Sequence, residues 1–232
     1  MNRRIRLFLV LACVFVTCLT VGDIIGGKLI ETNLFGYRFT LTVGMLPFPV
    51  TFLITDLLNE FYGKRAARFV TWVGFAMAAL AYVVIFVAAE IPIAAMTHAD
   101  GWTGVTEESF NRVFVGSQRM IAASLCAYLI AQFVDISVFH ALRQATHQRL
   151  LWLRASGSTV ISQLVDTITI SLVAWFGILP LAEIGRIMVS SYVLKVLIAV
   201  GLTPLVYAGH ALIERLMAGS PRLELEADPD TR

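Results

Sequence analysis

The chain has 232 residues, 58% of them hydrophobic and only 15% charged, with a mean hydropathy of +0.78. A soluble domain carries about 25% charged residues, so this composition excludes an ordinary water-soluble fold and makes lipid the solvent. The net charge of +2 is too small to point to nucleic acid, and Cys13, Cys18 and Cys126 sit in apolar runs without metal-ligand spacing.

Crossing a hydrocarbon core of roughly 30 Å takes about 20 helical residues. Six segments meet that length, at about 5–25, 40–61, 68–89, 119–141, 157–178 and 187–211. They predict an all-α, polytopic membrane protein with six transmembrane helices, forming one domain over 1–218. The first helix opens after Asn2-Arg3-Arg4 and is followed by no small-residue cleavage site, so it reads as a retained span. It ends near Gly22-Asp23, and a short loop leads to about Phe39. The second helix contains Pro47-Phe48-Pro49, which predicts a kink or a stretch of backbone opened onto a cavity.

At the end of that helix Asp56, Asn59, Glu60 and Gly63 fall at i, i+3, i+4 and i+7, a single polar face. Lipid cannot satisfy such a face, so it must turn to protein or water. Gly63-Lys64-Arg65 then makes a tight basic turn, and the third helix, poor in polar groups, is expected to face lipid. Residues 90–118 form an acidic outer loop. Within it Thr106 is the predicted cap of a short helix reaching Val115, with Glu107 and Glu108 in its first turn. The fourth helix runs from Arg119 through Gln132 and Asp135, and a basic loop with Arg143, His147, Arg149 and Arg154 follows. The fifth helix carries Gln163 and Asp166 and is closed by Gly177 and Pro180. The sixth carries Ser190, Ser191, Tyr192 and Lys195, and residues 219–232 read as a mobile cytoplasmic tail.

Lysine and arginine set the orientation. With the N-terminus in the cytoplasm, twelve bases fall inside and five outside, leaving Lys195 in a span. The positive-inside rule then places both termini in the cytoplasm, which requires an even number of spans.

Asp23, Asp56, Glu60, Asp135 and Asp166 fall within or at the edges of spans, opposed there by Lys195. Each mid-helix charge costs about 2.5–3.5 kcal/mol on insertion scales, so these groups need a partner or a purpose. Lys195 with Asp166 is one candidate ion pair, and it leaves the other acids unanswered. Gln132-x-x-Asp135 and Gln163-x-x-Asp166 share a spacing that puts amide and carboxylate on one helix face. Two such pairs suit a flat polar heterocycle with an amide-like edge, because Asp accepts hydrogen bonds and Gln both donates and accepts. His98, His140, His147 and His210 are scattered, and neither a nucleophile motif nor a nucleotide-binding loop is present. The chain therefore reads as a non-enzyme that needs no cofactor.

In its motifs the sequence resembles the queuosine precursor transporter family, also called the vitamin uptake transporter family. The resemblance rests on Phe48-Pro49, Thr55-Asp56-Leu57 and Tyr62-Gly63, then on Arg119 to Ser124 and Ala131-Gln132-Phe133-Val134-Asp135 with Phe139. Ser158-Thr159, Gln163, Asp166-Thr167 and Lys195-Val196-Leu197 complete it. It implies six helices and import of 7-cyano- and 7-aminomethyl-7-deazaguanine across the cell inner membrane for transfer-RNA queuosine salvage, with proton coupling as one mode. The family pattern carries Asn where Asp23 stands, which puts the role of the first helix in question. On this resemblance the substrate-binding residues are Asp56, Gln132, Asp135, Gln163, Asp166, Phe48, Asn59, Lys195, Arg119 and Asp23. Phe48 would stack on the ring, with Asp135 and Gln132 reading one edge and Asp166 and Gln163 another part. The expected partners are the deazaguanine and the lipid bilayer, with a second copy of the chain as a candidate and no direct contact with nucleic acid. The alternative reading is the substrate-binding membrane subunit of an energy-coupled vitamin or nucleobase importer. The first helix lacks the regular small-residue stripe that docking such a module would use.

Overall fold

The computed structural model describes residues 3–26, 28–34, 37–98, 101–115, 118–147 and 149–217. Helices α1 (Arg3–Ile25), α2 (Phe48–Glu90), α4 (Gln118–Ala145), α5 (Leu151–Trp175) and α6 (Leu181–Gly201) make up most of it. The shorter α3 (Glu107–Phe110) and α7 (Thr203–Met217) are the other α-helices among the described residues, and a π-helical turn over Asn111–Val115 continues α3. Four helical segments among the described residues are long and apolar enough to cross a membrane: Arg3–Ile25, Val43–Glu90, Ala123–Ala145 and Leu181–Gly201.

Their packing is inside-out relative to a soluble protein. Phe69, Trp72, Leu80, Val83, Val84 and Val87 project outward from α2, whereas Thr55, Asp56, Asn59, Thr71, Asp135, Ser158, Ser162, Gln163 and Thr167 are buried. The outward row on the second half of α2 agrees with the lipid-facing role expected of the third helix.

α2 is continuous in outline but broken at Gly63, whose φ of 78° and ψ of 178° are not helical. Those angles belong essentially to glycine, so the break is encoded where the basic turn was expected. It divides α2 into a limb over 48–62 and a limb over 64–90. The first limb is the centre of the molecule. Ile54, Leu57, Leu58 and Tyr62 pack with Phe8 and Phe15 of α1 and Ile213 of α7, and the Tyr62 hydroxyl donates to the Arg4 carbonyl at 2.9 Å. On the second limb Gly74 permits close approach, since a Cβ there would meet the Tyr128 hydroxyl of α4 at 2.8 Å and Phe15 of α1 at 3.1 Å.

Four expectations need correction. The stretch before the second helix is a β-hairpin, β1 (Leu29–Leu34) with β2 (Tyr37–Thr42), antiparallel from Leu29 opposite Thr42 to Leu34 opposite Tyr37. Its β-branched and aromatic residues favour extended backbone over the loop and helix start anticipated there. The prolines do not interrupt a helix. Pro47 caps α2 and Pro49 lies in its first turn, where a missing N–H costs nothing. α5 begins at Leu151, so Arg154 belongs to a helix rather than to the basic loop. Finally, the sixth span is not one rod: α6 ends at Gly201 with Leu202 as its cap, and α7 restarts at Thr203 with Pro204 next, which cannot donate to the preceding turn.

The outer segment follows the sequence closely. Thr106 caps α3 by accepting from the Ser109 N–H at 3.2 Å, and the Ser109 hydroxyl accepts from the Thr106 N–H at 2.9 Å. The expected tail over 219–232 lies outside the described residues.

Candidate functional site

The polar groups gather where the first limb of α2 meets α4 and α5. α4 and α5 pack against each other along much of their length, and α4 also contacts α2. Two gaps open between these elements. Phe52, Thr55, Ala131, Gln132, Asp135, Thr159, Ser162 and Gln163 line the first. The second, toward α7, is bounded by Asp56 together with Ala155, Ser156, Ala199, Leu202 and Val206, and it shares Phe52 and Thr159 with the first. Each leaves only about 10 Å³ to the centre of a water-sized molecule, enough for about one water. The helices are therefore closed on one another.

Asp56 is 5% exposed, and among the described residues its Oδ1 accepts no hydrogen bond. Asn59 is 0% exposed, and neither of its side-chain polar atoms has a partner among the described residues. Gln132 donates through Nε2 to the Thr55 hydroxyl at 3.2 Å. Asp135 accepts the Ser162 hydroxyl at 3.1 Å, although that hydroxyl stands equally close to the Thr159 carbonyl. Gln163 Oε1 and Thr167 Oγ1 are buried without partners among the described residues. An unpaired buried polar atom costs about 1–3 kcal/mol, so such a cluster is expensive unless something else answers it.

Two other acids of the helices are paired with bases. Asp166 pairs with Lys195 of α6 at 2.5 Å, the two side chains 15% and 12% exposed. Lys195 also lies over the Phe48 ring, 5.2 Å from its centroid. Glu60 pairs with Arg154 at 2.6 Å, and this arginine is only 3% exposed. The Glu60 carbonyl accepts from Arg143 at 3.5 Å, and His210 of α7 approaches the Glu60 carboxylate to 3.8 Å. One glutamate thereby joins α2, α4, α5 and α7. Asp23 accepts the Ser124 hydroxyl at 3.2 Å.

Of the residues singled out from sequence, the fold brings Asp56, Gln132, Asp135 and Gln163 to the two gaps, with Asn59 buried one turn from Asp56. Asp166, Lys195 and Phe48 form a neighbouring cluster that lines neither gap, and Asp23, which also lines neither, lies within reach of the Asp166 charge. Arg119 opens α4, and its side chain lies outside the described set. The aromatic wall of the gaps is Phe52, which meets Phe48 edge-on at 4.4 Å between centroids. Sequence reasoning passed over Phe52, Thr159 and Ser162. The available signal was periodic: Phe52 and Asp56 are four apart, and Ser158, Thr159, Ser162 and Gln163 share one face of α5.

Apolar side chains turned outward around a polar centre define a helical, multi-pass membrane protein. Comparison with known proteins places it further. A family model described as "Putative vitamin uptake transporter" matches residues 42–209, and the chain belongs to that family. A "Probable queuosine precursor transporter" of Bacillus subtilis (strain 168) is 33% identical over 183 residues, covering 78% of this chain and 76% of that protein. The "Queuosine precursor transporter" of Escherichia coli (strain K12) is 31% identical over 138 residues, 60% of this chain and 57% of that protein. A "Probable queuosine precursor transporter" of Haemophilus influenzae is 28% identical over 144 residues, 60% and 54% of the two chains. No solved structure matches.

Proposed function

We propose that this chain is a carrier, not an enzyme, that imports queuosine precursors of the 7-cyano- and 7-aminomethyl-7-deazaguanine type across the cell inner membrane for queuosine salvage. One observation carries the reading. Gln132, Asp135 and Gln163 line one gap and Asp56 lines its neighbour, so polar groups from three helices converge around the shared Phe52 ring. A guanine-like base presents N–H and amino donors beside a carbonyl acceptor. Carboxylates take the donors, a glutamine amide serves the carbonyl, and an aromatic wall takes the ring face. A site built this way rejects compounds that leave its buried polar atoms unpaired. The names of the bacterial relatives support the same substrate class.

The reading counts six spans: α1, the two limbs of α2, α4, α5, and α6 with α7. Both termini are then cytoplasmic. Taking buried Arg154 out of the loop charge leaves eleven bases inside against five outside, so the bias keeps its sign. Because the gaps hold about one water each, a base can enter only when α2, α4 and α5 part. The break at Gly63 and the interruption at Leu202 supply hinges beside the site. Proton coupling belongs to the proposal, since Asp56 and Asp135 are intramembrane carboxylates without a basic partner among the described residues. So does self-association, which light scattering of the purified protein measures.

Uptake of labelled 7-aminomethyl-7-deazaguanine into vesicles containing this chain alone is the test, with guanine as competitor. Uptake is expected, and a protonophore should reduce it. Binding without uptake would favour the energy-coupled subunit instead. Absence of both binding and uptake would remove the deazaguanine reading.

A further inference from the structure

Of Asp23, Asp56, Glu60, Asp135 and Asp166, two are paired with a base. Asp166 has Lys195, and Glu60 has Arg154 with His210 nearby. Asp56 and Asp135 have no base among the described residues. Across the helix interface Asp135 meets the hydroxyls of Ser158 and Ser162, which offer dipoles and no balancing charge. Asp56 Oδ1 has no hydrogen-bond partner among the described residues. The two carboxylates border gaps that share Phe52 and Thr159, and they lie close enough for each to feel the other's charge. The fifth acid, Asp23, accepts a serine hydroxyl and lines neither gap.

We propose that this site discriminates by charge: it takes a ligand bearing an ammonium group in preference to a neutral ligand of the same shape, and Asp56 and Asp135 determine that preference. The inference rests on the deazaguanine reading above and narrows its substrate class. A cation entering between the two carboxylates meets acceptors that are desolvated and uncompensated, where a charge-assisted hydrogen bond is strongest. A neutral ligand of the same shape offers those acceptors no balancing charge. The two ion pairs nearby do not compete for the incoming cation, because each already balances itself.

The comparison that isolates charge uses 7-aminomethyl- and 7-hydroxymethyl-7-deazaguanine, which match in size and differ in the ammonium. Binding of each to the purified full chain is measured by displacement of labelled 7-aminomethyl compound at pH 7.5. The native chain should bind the aminomethyl compound about tenfold or more tightly than the hydroxymethyl one. That ratio should fall to about threefold or less in Asp56→Asn or Asp135→Asn. Equal affinities in the native chain overturn the proposal without any variant, and leave the deazaguanine reading standing. A ratio unchanged in both folded variants, judged by their melting temperatures, also overturns it. If no deazaguanine binds the native chain, both readings fall together.

Discussion

At the scale of single residues, the buried ion pairs separate partners that matter from partners that merely meet. Arg154 is almost wholly enclosed and its partner Glu60 is 94 positions away in sequence. Removing the arginine strands a carboxylate in the interior, which typically costs about 3–5 kcal/mol. Arg154→Ala should therefore lower the melting temperature in detergent sharply. Arg112 and Glu108, four apart and 76% and 73% exposed, form the control. Arg112→Ala should change stability by less than about 1 kcal/mol, because water screens the pair. For Asp166 and Lys195 the prediction concerns additivity. Lys195→Met alone should destabilise, and Lys195→Met combined with Asp166→Leu should recover much of the loss, since the double change leaves no unpaired charge. The Asp166–Lys195 pair was visible in sequence, because one lysine among apolar helices has few acids to choose from. Arg154 was not. Its neighbours Arg143, His147 and Arg149 give it the look of a loop residue, and only the helix that starts at Leu151 carries it inward.

At the scale of elements, Gly63 is the joint on which α2 turns. A Cβ at this position meets nothing within 4 Å, so the obstacle to substitution is its φ of 78° and not crowding. Gly63→Ala should cost about 1–3 kcal/mol if the break is kept. The alternative is straightening of α2, which would pull Glu60 away from Arg154. Either outcome should reduce uptake, and a melting curve beside a transport assay reads both. The end of the first limb of α2 was legible because glycine and a run of bases punctuate it. Its start was not. Pro47 and Pro49 are compatible with both a kink and a helix N-terminus, and the sequence pattern does not choose between them. The hairpin before them decides the matter, because backbone committed to the β1–β2 ladder cannot also be helical.

For the whole molecule, the topology is the claim most open to a direct check. Cysteines introduced at Thr106 and at Arg149 should differ in their reaction with a membrane-impermeant maleimide added to intact cells that carry a variant free of native cysteine. Thr106 should label from outside and Arg149 only after the cells are opened. Labelling of both from outside would reverse or break the six-span arrangement. Helix exposure agrees with a lipid-facing surface in a way composition alone could not show, since Leu80, Val83, Val84 and Val87 of α2 are each more than half exposed while the residues of the polar centre are enclosed.

Composition, helix-length apolar runs and the bias of lysine and arginine determined by themselves that this is a helical membrane protein, and the i, i+3 and i, i+4 spacings determined which groups share a face. These are local properties, fixed by the helical repeat and by the cost of placing charge in hydrocarbon. Which carboxylates are neutralised and which remain open was decided only by the tertiary structure. That outcome depends on contacts between α2, α4, α5, α6 and α7, made by residues far apart in the chain. The same Gln-x-x-Asp pattern consequently ends in two states: Asp135 faces a gap with hydroxyls around it, while Asp166, identically spaced, is closed by a lysine from the next helix.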